Sequence, residues 1–313
     1  MRLGDYRFSD NVQDDRGSGG GFGFGGGGGG GGGCLPMLLM MVMSRFGIGG
    51  VLILLLGYCA LTTLGGGGNL GLTGSPPAVA PQQANRDAGG GTSVCEAGSN
   101  YALSCRVLAS TEDTWGAILG RSGERYTPTT LVFYTRSDRS GCGAAQSAMG
   151  PFYCPTDKRI YLDTGFYDEL QNRFHAAGDF AQAYVIAHEV GHHIQDLMGT
   201  LGQVQERQGS LSSKAGNALQ VRVELQADCY AGVWAANAKS RDGQPLMEAG
   251  DLEEGLRAAA AIGDDTLQQE SQGYVAPDSF THGSSAQRVE WLRRGFQSGD
   301  PAQCDTFKAL GDG

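Results

Sequence analysis

Five consecutive residues, His188-Glu189-Val190-Gly191-His192, constrain this chain more than any other segment. They lie within residues 180–197, where apolar residues recur at helical spacing and predict one helix. Positions four apart share a face of a helix, so both imidazoles can reach one metal ion. Glu189 then lies beside that ion, where a carboxylate can take a proton from an attacking water. The pattern predicts a helix that binds a metal ion in a hydrolytic site. The alternative is a buried helix whose histidines are satisfied by hydrogen bonds.

Three residues of this segment predict how the helix is bounded and packed. Asp179 suits the N-cap position, and Gly199 suits the stop after the last turn. Gly191 costs about 1 kcal/mol relative to alanine inside a helix. Its presence therefore predicts that another element, such as a second helix, passes close to its backbone.

The first third of the chain differs in composition from the rest. Residues 19–33 are almost pure glycine, and such a tract cannot bury enough apolar surface to offset its ordering entropy. We therefore predict that residues 1–45 form a Gly-rich disordered segment in the cytoplasm. The tract contains GxGxxG matches, but no strand precedes them and no helical pattern follows, which excludes a dinucleotide-binding loop.

Residues 46–64 carry no charge, and a helix of that length spans about 29 Å, close to the hydrocarbon thickness of a bilayer. Arg45 precedes this stretch and the next basic residue is Arg86, which favours a cytoplasmic N-terminus. We predict one transmembrane helix at 46–64, a flexible linker at 65–92, and one globular domain at 93–313. The alternative, a cleaved signal peptide, is disfavoured by the long segment ahead of the apolar stretch.

Cysteine usage and charge describe the predicted domain further. Six cysteines fall there, and an even set without CxxC spacing indicates disulfides in an oxidising compartment. Neighbour pairing, one of fifteen possible arrangements, gives Cys95–Cys105, Cys142–Cys154 and Cys229–Cys304. The net charge of −10 also falls in this part. Because the part contains no basic run, we do not expect a nucleic-acid partner.

A second predicted helix supplies a candidate third ligand. Hydrolytic zinc sites usually have three protein ligands and one open position. Residues 219–238 predict a helix on which Glu224 and Asp228 share a face, one turn apart. Two carboxylates on a largely apolar helix would repel each other and lose hydration unless a cation lay beside them. We predict Glu224 as a zinc ligand and Asp228 as the acceptor of a ligand histidine's N–H; the alternative is a solvated helix face.

A third segment adds two candidate residues, a histidine that is neutral or protonated and an arginine. His282 lies in a loop, and Ser284 with Gln287 predicts a capping box at the start of the next helix. That helix carries Arg288. The side chain of His282 or of Arg288 is therefore a candidate to stabilise the oxyanion that forms when water attacks a carbonyl.

Several stretches resemble the bacterial putative neutral zinc metallopeptidase family. They are residues 150–155, 178–193, 223–234 and 280–288, together with Ser9-Asp10-Asn11-Val12 before the Gly-rich segment. The resemblance implies a single-pass protein of the bacterial inner membrane with a zincin-like domain outside the cytoplasm. Glutamate-zincins place the third ligand in an ExxxD motif on a later helix, which corresponds to Glu224 and Asp228. The segment with His282 and Arg288 also resembles an active-site segment of membrane-bound CAAX-type zinc proteases.

The expected fold is an α+β zincin-like domain, rich in helices and with a small sheet. Residues 130–135 and 159–162 predict two strands ahead of the HExxH helix, and one of them could be the edge strand that pairs with an extended peptide. The expected function is a zinc endopeptidase with one Zn²⁺, a protein or peptide substrate, and Glu189 as general base. Alternatives are a catalytically inactive, membrane-anchored zinc-binding scaffold and a secreted disulfide-rich binding module. Glu189 favours the enzyme, because metal binding alone does not need it.

Overall fold

The computed structural model describes residues 1–17 and 92–309. The helices of these parts are α1 (Ser99–Arg121), α2 (Phe166–Asn172), α3 (Asp179–Leu197), α4 (Thr200–Gln208), α5 (Ser213–Asn237), α6 (Asp251–Ala261), α7 (Asp264–Gln272), α8 (Ser285–Ser298) and α9 (Thr306–Ala309). The strands are β1 (Val12–Asp14), β2 (Thr130–Tyr134), β3 (Ser137–Ser140), β4 (Gly143–Gln146), β5 (Phe152–Cys154) and β6 (Arg159–Asp163). Short 3-10 helices cover Ser93–Glu96, Ser147–Met149, Pro277–Ser279 and Pro301–Cys304.

The larger sheet has the strand order β1-β2-β6-β5. β1, β2 and β6 are parallel, whereas β5 runs antiparallel to β6. β3 and β4 form a separate antiparallel hairpin. The described parts of the chain therefore form a helix-rich α+β fold with a small sheet, as predicted, and the two predicted strands are β2 and β6.

The prediction that β2 or β6 is the peptide-binding edge strand is wrong. β2 lies between β1 and β6, and β6 lies between β2 and β5, so both are interior strands. The edge strand that packs against α3 is β5. With three residues, β5 is too short to show the alternation by which a strand is recognised in a sequence.

Alternation along β2 gives the sheet two buried faces. Leu131 and Phe133 face the helices and belong to the main core. Val132 and Tyr134 point to the opposite face, where they join a smaller apolar cluster with Ala145 of the hairpin. Because successive side chains of a strand point to opposite faces, a strand buried on both sides reads as a continuous apolar run.

Residues 1–17 are part of the same compact unit as the domain, so this part of the segment predicted to be disordered at 1–45 is ordered, and the rest of that segment lies outside the described residues. β1 adds a parallel strand to β2, with Val12 opposite Leu131. The buried carboxylate of Glu112 on α1 binds the preceding residues. It accepts hydrogen bonds from Arg7 Nη2 at 2.9 Å, Ser9 Oγ at 2.5 Å and Asn11 Nδ2 at 2.8 Å. The Glu112 carboxylate of α1 thus holds the N-terminal segment beside the sheet.

This strand pairing conflicts with the predicted membrane topology. A single crossing at residues 46–64 would separate β1 and β2 by a bilayer, whereas hydrogen-bonded strands must lie in one compartment. The predicted transmembrane helix and nearly all of the predicted linker at 65–92 fall outside the described residues. Among the helices that the structure describes, none has both the length and the apolar character needed to cross a membrane.

Cysteine labelling in intact cells tests this arrangement. The test uses the full chain with Cys34→Ser and Cys59→Ser and one new cysteine, either Asp5→Cys or Glu270→Cys. Both positions are exposed. We expect a membrane-impermeant maleimide to label both variants to the same extent, because both residues lie on one compact unit. Labelling of one variant before lysis and of the other only after lysis would support a single crossing instead.

The HExxH segment forms α3 over Asp179–Leu197, and the predicted stop is confirmed, because Gly199 has a φ of 76° just after the last turn. The predicted N-cap is wrong. Asp179 is the first helical residue and a glycine precedes it without a side-chain cap. The carboxylate of Glu254 on α6 accepts from the backbone N–H of Phe180 at 3.1 Å instead. A distant carboxylate thus satisfies the helix end, which no local pattern reveals.

The close approach predicted at Gly191 is confirmed. A Cβ atom at this position would lie 2.9 Å from the carbonyl oxygen of Ala227 and 3.0 Å from its Cα atom. Ala227 lies on α5, so the glycine lets the backbones of α3 and α5 approach closely. The two helices that carry the predicted ligands therefore cross in direct contact.

A second close crossing joins α5 to α8. A Cβ atom on Gly295 would overlap the carbonyl oxygen of Cys229, and Gly232 meets the backbone of α8 in the same way. Because Arg288 lies two turns before Gly295, this crossing brings its side chain to Asp228, the neighbour of Cys229 on α5. The glycines therefore determine the position of a charged pair as well as the helix packing.

The predicted disulfide arrangement is confirmed in full. The three bonds are Cys95–Cys105, Cys142–Cys154 and Cys229–Cys304. The first joins α1 to the segment before it, and the second ties the β3–β4 hairpin to the edge strand β5. The third fixes the 3-10 helix at Pro301–Cys304 to α5.

Candidate metal centre

Three predicted ligands meet where α3 crosses α5. His188 and His192 project from one face of α3, and Glu224 projects from α5 towards both. Glu224 Oε2 lies 3.2 Å from His188 Nε2 and 3.5 Å from His192 Nε2. One ligand atom from each residue falls within 4.8 Å of the other two. The sequence prediction that these three residues come together is thus matched by the geometry.

The donor set fits a zinc ion. Ligand atoms at about 2.0–2.2 Å from a tetrahedral zinc ion are separated by about 3.3–3.6 Å, which agrees with the two imidazole–carboxylate distances. Burial opposes the charged imidazolium, but Asp228 and Glu224 outweigh it and raise the pKa of His188 to about 10. The site therefore strongly favours a positive charge between His188 and Glu224. Two imidazoles and one carboxylate are also ligands that zinc accepts.

Asp228 contacts the Nδ1 atom of the His188 ring, as predicted. Asp228 Oδ1 lies 2.8 Å from His188 Nδ1 and accepts from the hydroxyl of Tyr184 at 2.6 Å. Arg288 donates to the same carboxylate from Nε at 2.9 Å and from Nη2 at 3.0 Å. Burial opposes ionisation, but Arg288 and His188 lower the pKa of Asp228 to about 2. Asp228 is thus an ionised acceptor that fixes His188 with Nε2 towards the site.

Arg288 is not placed as an oxyanion-stabilising residue would be. Its side chain is buried, and it also donates to the carbonyl oxygen of Ile262 at 3.2 Å and to Tyr184 at 3.1 Å. Nitrogens of the guanidinium are therefore engaged by Asp228, Tyr184 and Ile262. The geometry favours a role in fixing Asp228, and through it His188.

His282 lies on the wall of the same cleft, with its side chain 52% exposed. The loop that carries it is held by Asp264 Oδ2, which accepts from the backbone N–H groups of Thr281 at 2.7 Å, His282 at 2.6 Å and Gly283 at 3.0 Å. The hydrogen bond to Asp264 also raises the pKa of His282, which favours the cationic ring. The predicted capping box at Ser284 and Gln287 is confirmed and starts α8 directly after this loop.

Glu189 is buried and lines the cleft beside the three ligands. Burial raises the pKa of its carboxyl group, against the opposing effect of the imidazoles of His188 and His192. The backbone N–H of Tyr153, in the edge strand β5, donates to the carboxylate. Glu189 is therefore a buried carboxylate with a raised pKa that lines the cleft together with the two histidines and contacts the edge strand β5.

Two further residues contact the ligands and were not predicted from the sequence. Gln195 Oε1 lies 2.8 Å from His192 Nδ1, and Gln220 Nε2 donates to Glu224 Oε1 at 3.0 Å. Each glutamine lies three or four residues from its ligand on the same helix. Helical spacing could have identified both as candidates, but glutamine is common on helix surfaces and the spacing alone does not separate a contact from solvent exposure.

A cleft of about 1060 Å³ opens over these residues. Its walls come from α3, α5 and the loop with His282, and also from β5 with the preceding loop, α2, α4 and α7. Both apolar and polar side chains face it, among them Met149, Phe152, Leu201 and Gln205. The three candidate ligands thus line a cleft whose wall also contains the edge strand β5.

Comparison with known proteins agrees with this geometry. The family model described as "Putative neutral zinc metallopeptidase" matches residues 1–307. The Escherichia coli protein named YpfJ is 56% identical over 201 residues, which cover 64% of this chain and 69% of that protein. The Mycobacterium tuberculosis protein named Rv2575 is 44% identical over 231 residues, 69% of this chain and 75% of that protein. No solved structure matches the chain. The chain belongs to the putative neutral zinc metallopeptidase family.

Proposed function

We propose that the protein is a zinc-dependent endopeptidase that hydrolyses peptide bonds of protein substrates. The observation that carries this proposal is the combination of a buried ligand triad with the buried carboxylate of Glu189 on the same cleft floor. A scaffold that only binds metal needs the triad but has no use for Glu189. The cleft also leaves the ligands open to a substrate.

A zinc ion held by His188, His192 and Glu224 would supply Lewis-acid chemistry, which polarises a carbonyl group and lowers the pKa of water to about 7. Glu189 accepts the proton of the attacking water and later donates it to the leaving nitrogen. Burial raises the pKa of its carboxyl group, and a raised pKa favours a carboxyl group that first gains and then donates a proton.

We propose β5 as the strand along which an extended substrate binds. β5 is an edge strand, and it lines the cleft. The Tyr153 N–H, which donates to Glu189, places the outer edge of β5 next to the reacting group. A peptide that adds to this edge would gain main-chain hydrogen bonds, which are independent of sequence. Side-chain preference would then arise from the cleft walls.

The role of stabilising the oxyanion is proposed for His282 rather than for Arg288. His282 is half exposed on the cleft wall, and its hydrogen bond to Asp264 favours the cationic ring. A cation near the developing negative charge lowers the barrier to attack on the carbonyl. Arg288 has no such freedom, because its nitrogens are bonded to Asp228, Tyr184 and Ile262.

We also propose that the domain folds outside the cytoplasm. Three disulfides support an oxidising compartment, since cytosolic thiols are kept reduced. Attachment to the bacterial inner membrane through residues 46–64 stays a prediction. Any such attachment has to leave residues 1–17 and the domain on the same side.

Metal removal tests the proposed function. We expect the full chain to purify with about one zinc per chain and to cleave an unstructured protein such as reduced casein. Chelation should abolish cleavage, and added zinc should restore it. His188→Ala should lose both zinc and cleavage, because a catalytic zinc site needs three protein ligands and only two would remain. Zinc loading without any cleavage of unstructured proteins would contradict the peptidase and favour a zinc-binding scaffold.

A further inference from the structure

The two candidate ligand histidines contact chemically different groups at Nδ1, the ring nitrogen that is not directed at Glu224. His188 has the ionised carboxylate of Asp228, which is paired with Arg288. His192 has the neutral amide of Gln195, with Oε1 at 2.8 Å from Nδ1. Gln195 is fully buried, and both atoms of its amide have hydrogen-bond partners in the protein. The neutral partner is not assigned by the HExxH or ExxxD motifs.

The orientation of the Gln195 amide follows from its other neighbours. Its Nε2 lies 2.7 Å from the carbonyl oxygen of Val223 and 3.0 Å from Gln226 Oε1. A backbone carbonyl can only accept, so the atom facing Val223 must be the NH₂ group. Rotation of the amide by 180° would oppose two acceptors in a buried site, which costs the full desolvation of both. The oxygen of Gln195 therefore faces His192.

Gln226 is oriented by the same argument, one step further from the site. Its Nε2 donates to the carbonyl oxygen of Cys304 at 3.0 Å, so its Oε1 must face Gln195. Cys304 is joined to α5 by the disulfide with Cys229, one turn after Gln226. The backbone carbonyls of Val223 and Cys304 thus fix the orientation of the two amides. The disulfide bond holds the carbonyl of Cys304 in place.

We infer that Gln195, supported by Gln226, is the positioning residue of His192. It holds the tautomer with a proton on Nδ1 and directs the lone pair of Nε2 towards Glu224, where a ligand to zinc must point. This inference rests on the zinc-binding part of the proposed function, because it concerns the metal site. Because the Gln195 amide is neutral, it adds no further negative charge next to the histidines. The negative groups at the site are then the carboxylates of Glu224, Asp228 and Glu189.

The zinc affinity of the full chain tests the inference without any substrate. Gln195→Met keeps the length of the side chain and removes the acceptor. We expect the zinc dissociation constant, measured by competition with a chromophoric chelator, to rise about 10–100-fold. The visible spectrum of the Co(II)-substituted chain should also change, because the ring of His192 is no longer held. Gln226→Met should give a smaller rise, since Gln195 keeps its bond to Val223.

Ile194→Val is the matched control. Ile194 is a buried residue of α3 next to Gln195, and its substitution should lower the melting temperature without changing zinc affinity. A zinc dissociation constant of Gln195→Met as close to wild type as that of Ile194→Val would overturn the inference. If the wild type binds zinc but cleaves nothing, the proposed peptidase fails while this inference stands.

A measurement on the wild type covers the case in which Gln195→Met does not fold. In the zinc-loaded chain labelled with ¹⁵N-histidine, we expect His192 to carry a slowly exchanging proton on Nδ1 and to bind through Nε2. Coordination of His192 through Nδ1, or loss of the proton on that nitrogen, would contradict the orientation derived for Gln195.

Discussion

Glu189→Gln is expected to retain zinc and to lose peptidase activity. Glutamine has nearly the same shape, so the three ligands and the hydrogen bond from Tyr153 should be preserved. It cannot accept the proton of the attacking water, however, and general base catalysis typically contributes 10²–10⁴-fold. We therefore expect kcat/KM for an unstructured protein substrate to fall by about 10²–10⁴-fold. Zinc content by atomic emission and the melting temperature should remain at the wild-type values.

Glu169→Gln is the matched control for this prediction. Glu169 is an exposed carboxylate of α2 that lines the same cleft. The same chemical change there removes a charge from the cleft without touching the ligands, so kcat should be retained even where KM changes. Equal losses of kcat in the two variants would show that charge in the cleft, and not proton transfer by Glu189, is what matters.

Arg288→Met should be among the most destabilising substitutions in the chain. It leaves the fully buried carboxylate of Asp228 without its cationic partner. Removing one partner of a buried ion pair typically costs 3–5 kcal/mol. We expect a loss of about that size in the free energy of unfolding, measured by denaturant titration with the disulfides intact. Zinc affinity should fall as well, because Asp228 fixes His188.

The contribution of the unpaired charge is separated by two comparisons. Arg294→Met on the same helix breaks an exposed pair with Glu290 and should cost about 0–1 kcal/mol. Adding Asp228→Asn to Arg288→Met should recover part of the stability, since a neutral amide is less costly to bury than a carboxylate. If Arg288→Met is no more destabilising than Arg294→Met, the pair does not stabilise the fold in the way described.

Local patterns were sufficient for those features that depend on residues close in sequence. The helical spacing of apolar residues predicted α3, and the capping residues predicted the start of α8. The close approach at Gly191 was also predictable, because a glycine inside a helix is unfavourable unless a neighbour requires the space. The predicted N-cap of α3 was wrong for the opposite reason, because the carboxylate that accepts from the helix end belongs to Glu254, which is distant in sequence.

The predicted role of Arg288 and the separate N-terminal segment show where local patterns fail. A helical arginine near a predicted active site reads equally well as a group that binds the oxyanion and as one that holds another residue. The choice depends on the crossing of α5 and α8 at Gly295, which turns the guanidinium towards Asp228. Likewise, Ser9 and Asn11 show no partner in the sequence until Glu112 of α1 is placed beside them.

The sequence by itself determined which residues are candidates for metal binding and for proton transfer, and it predicted the disulfide pairing that the structure contains. His188, Glu189 and His192 occupy one helix with a fixed period, and Glu224 and Asp228 repeat that spacing on a second helix, so their relative directions follow from helix geometry. Only the tertiary structure decided that β5 forms the edge of the cleft, that Arg288 fixes Asp228, and that Val223 and Gln226 orient Gln195. Those contacts join residues far apart in the chain, and their orientation depends on how closely backbones pack, which local spacing does not encode.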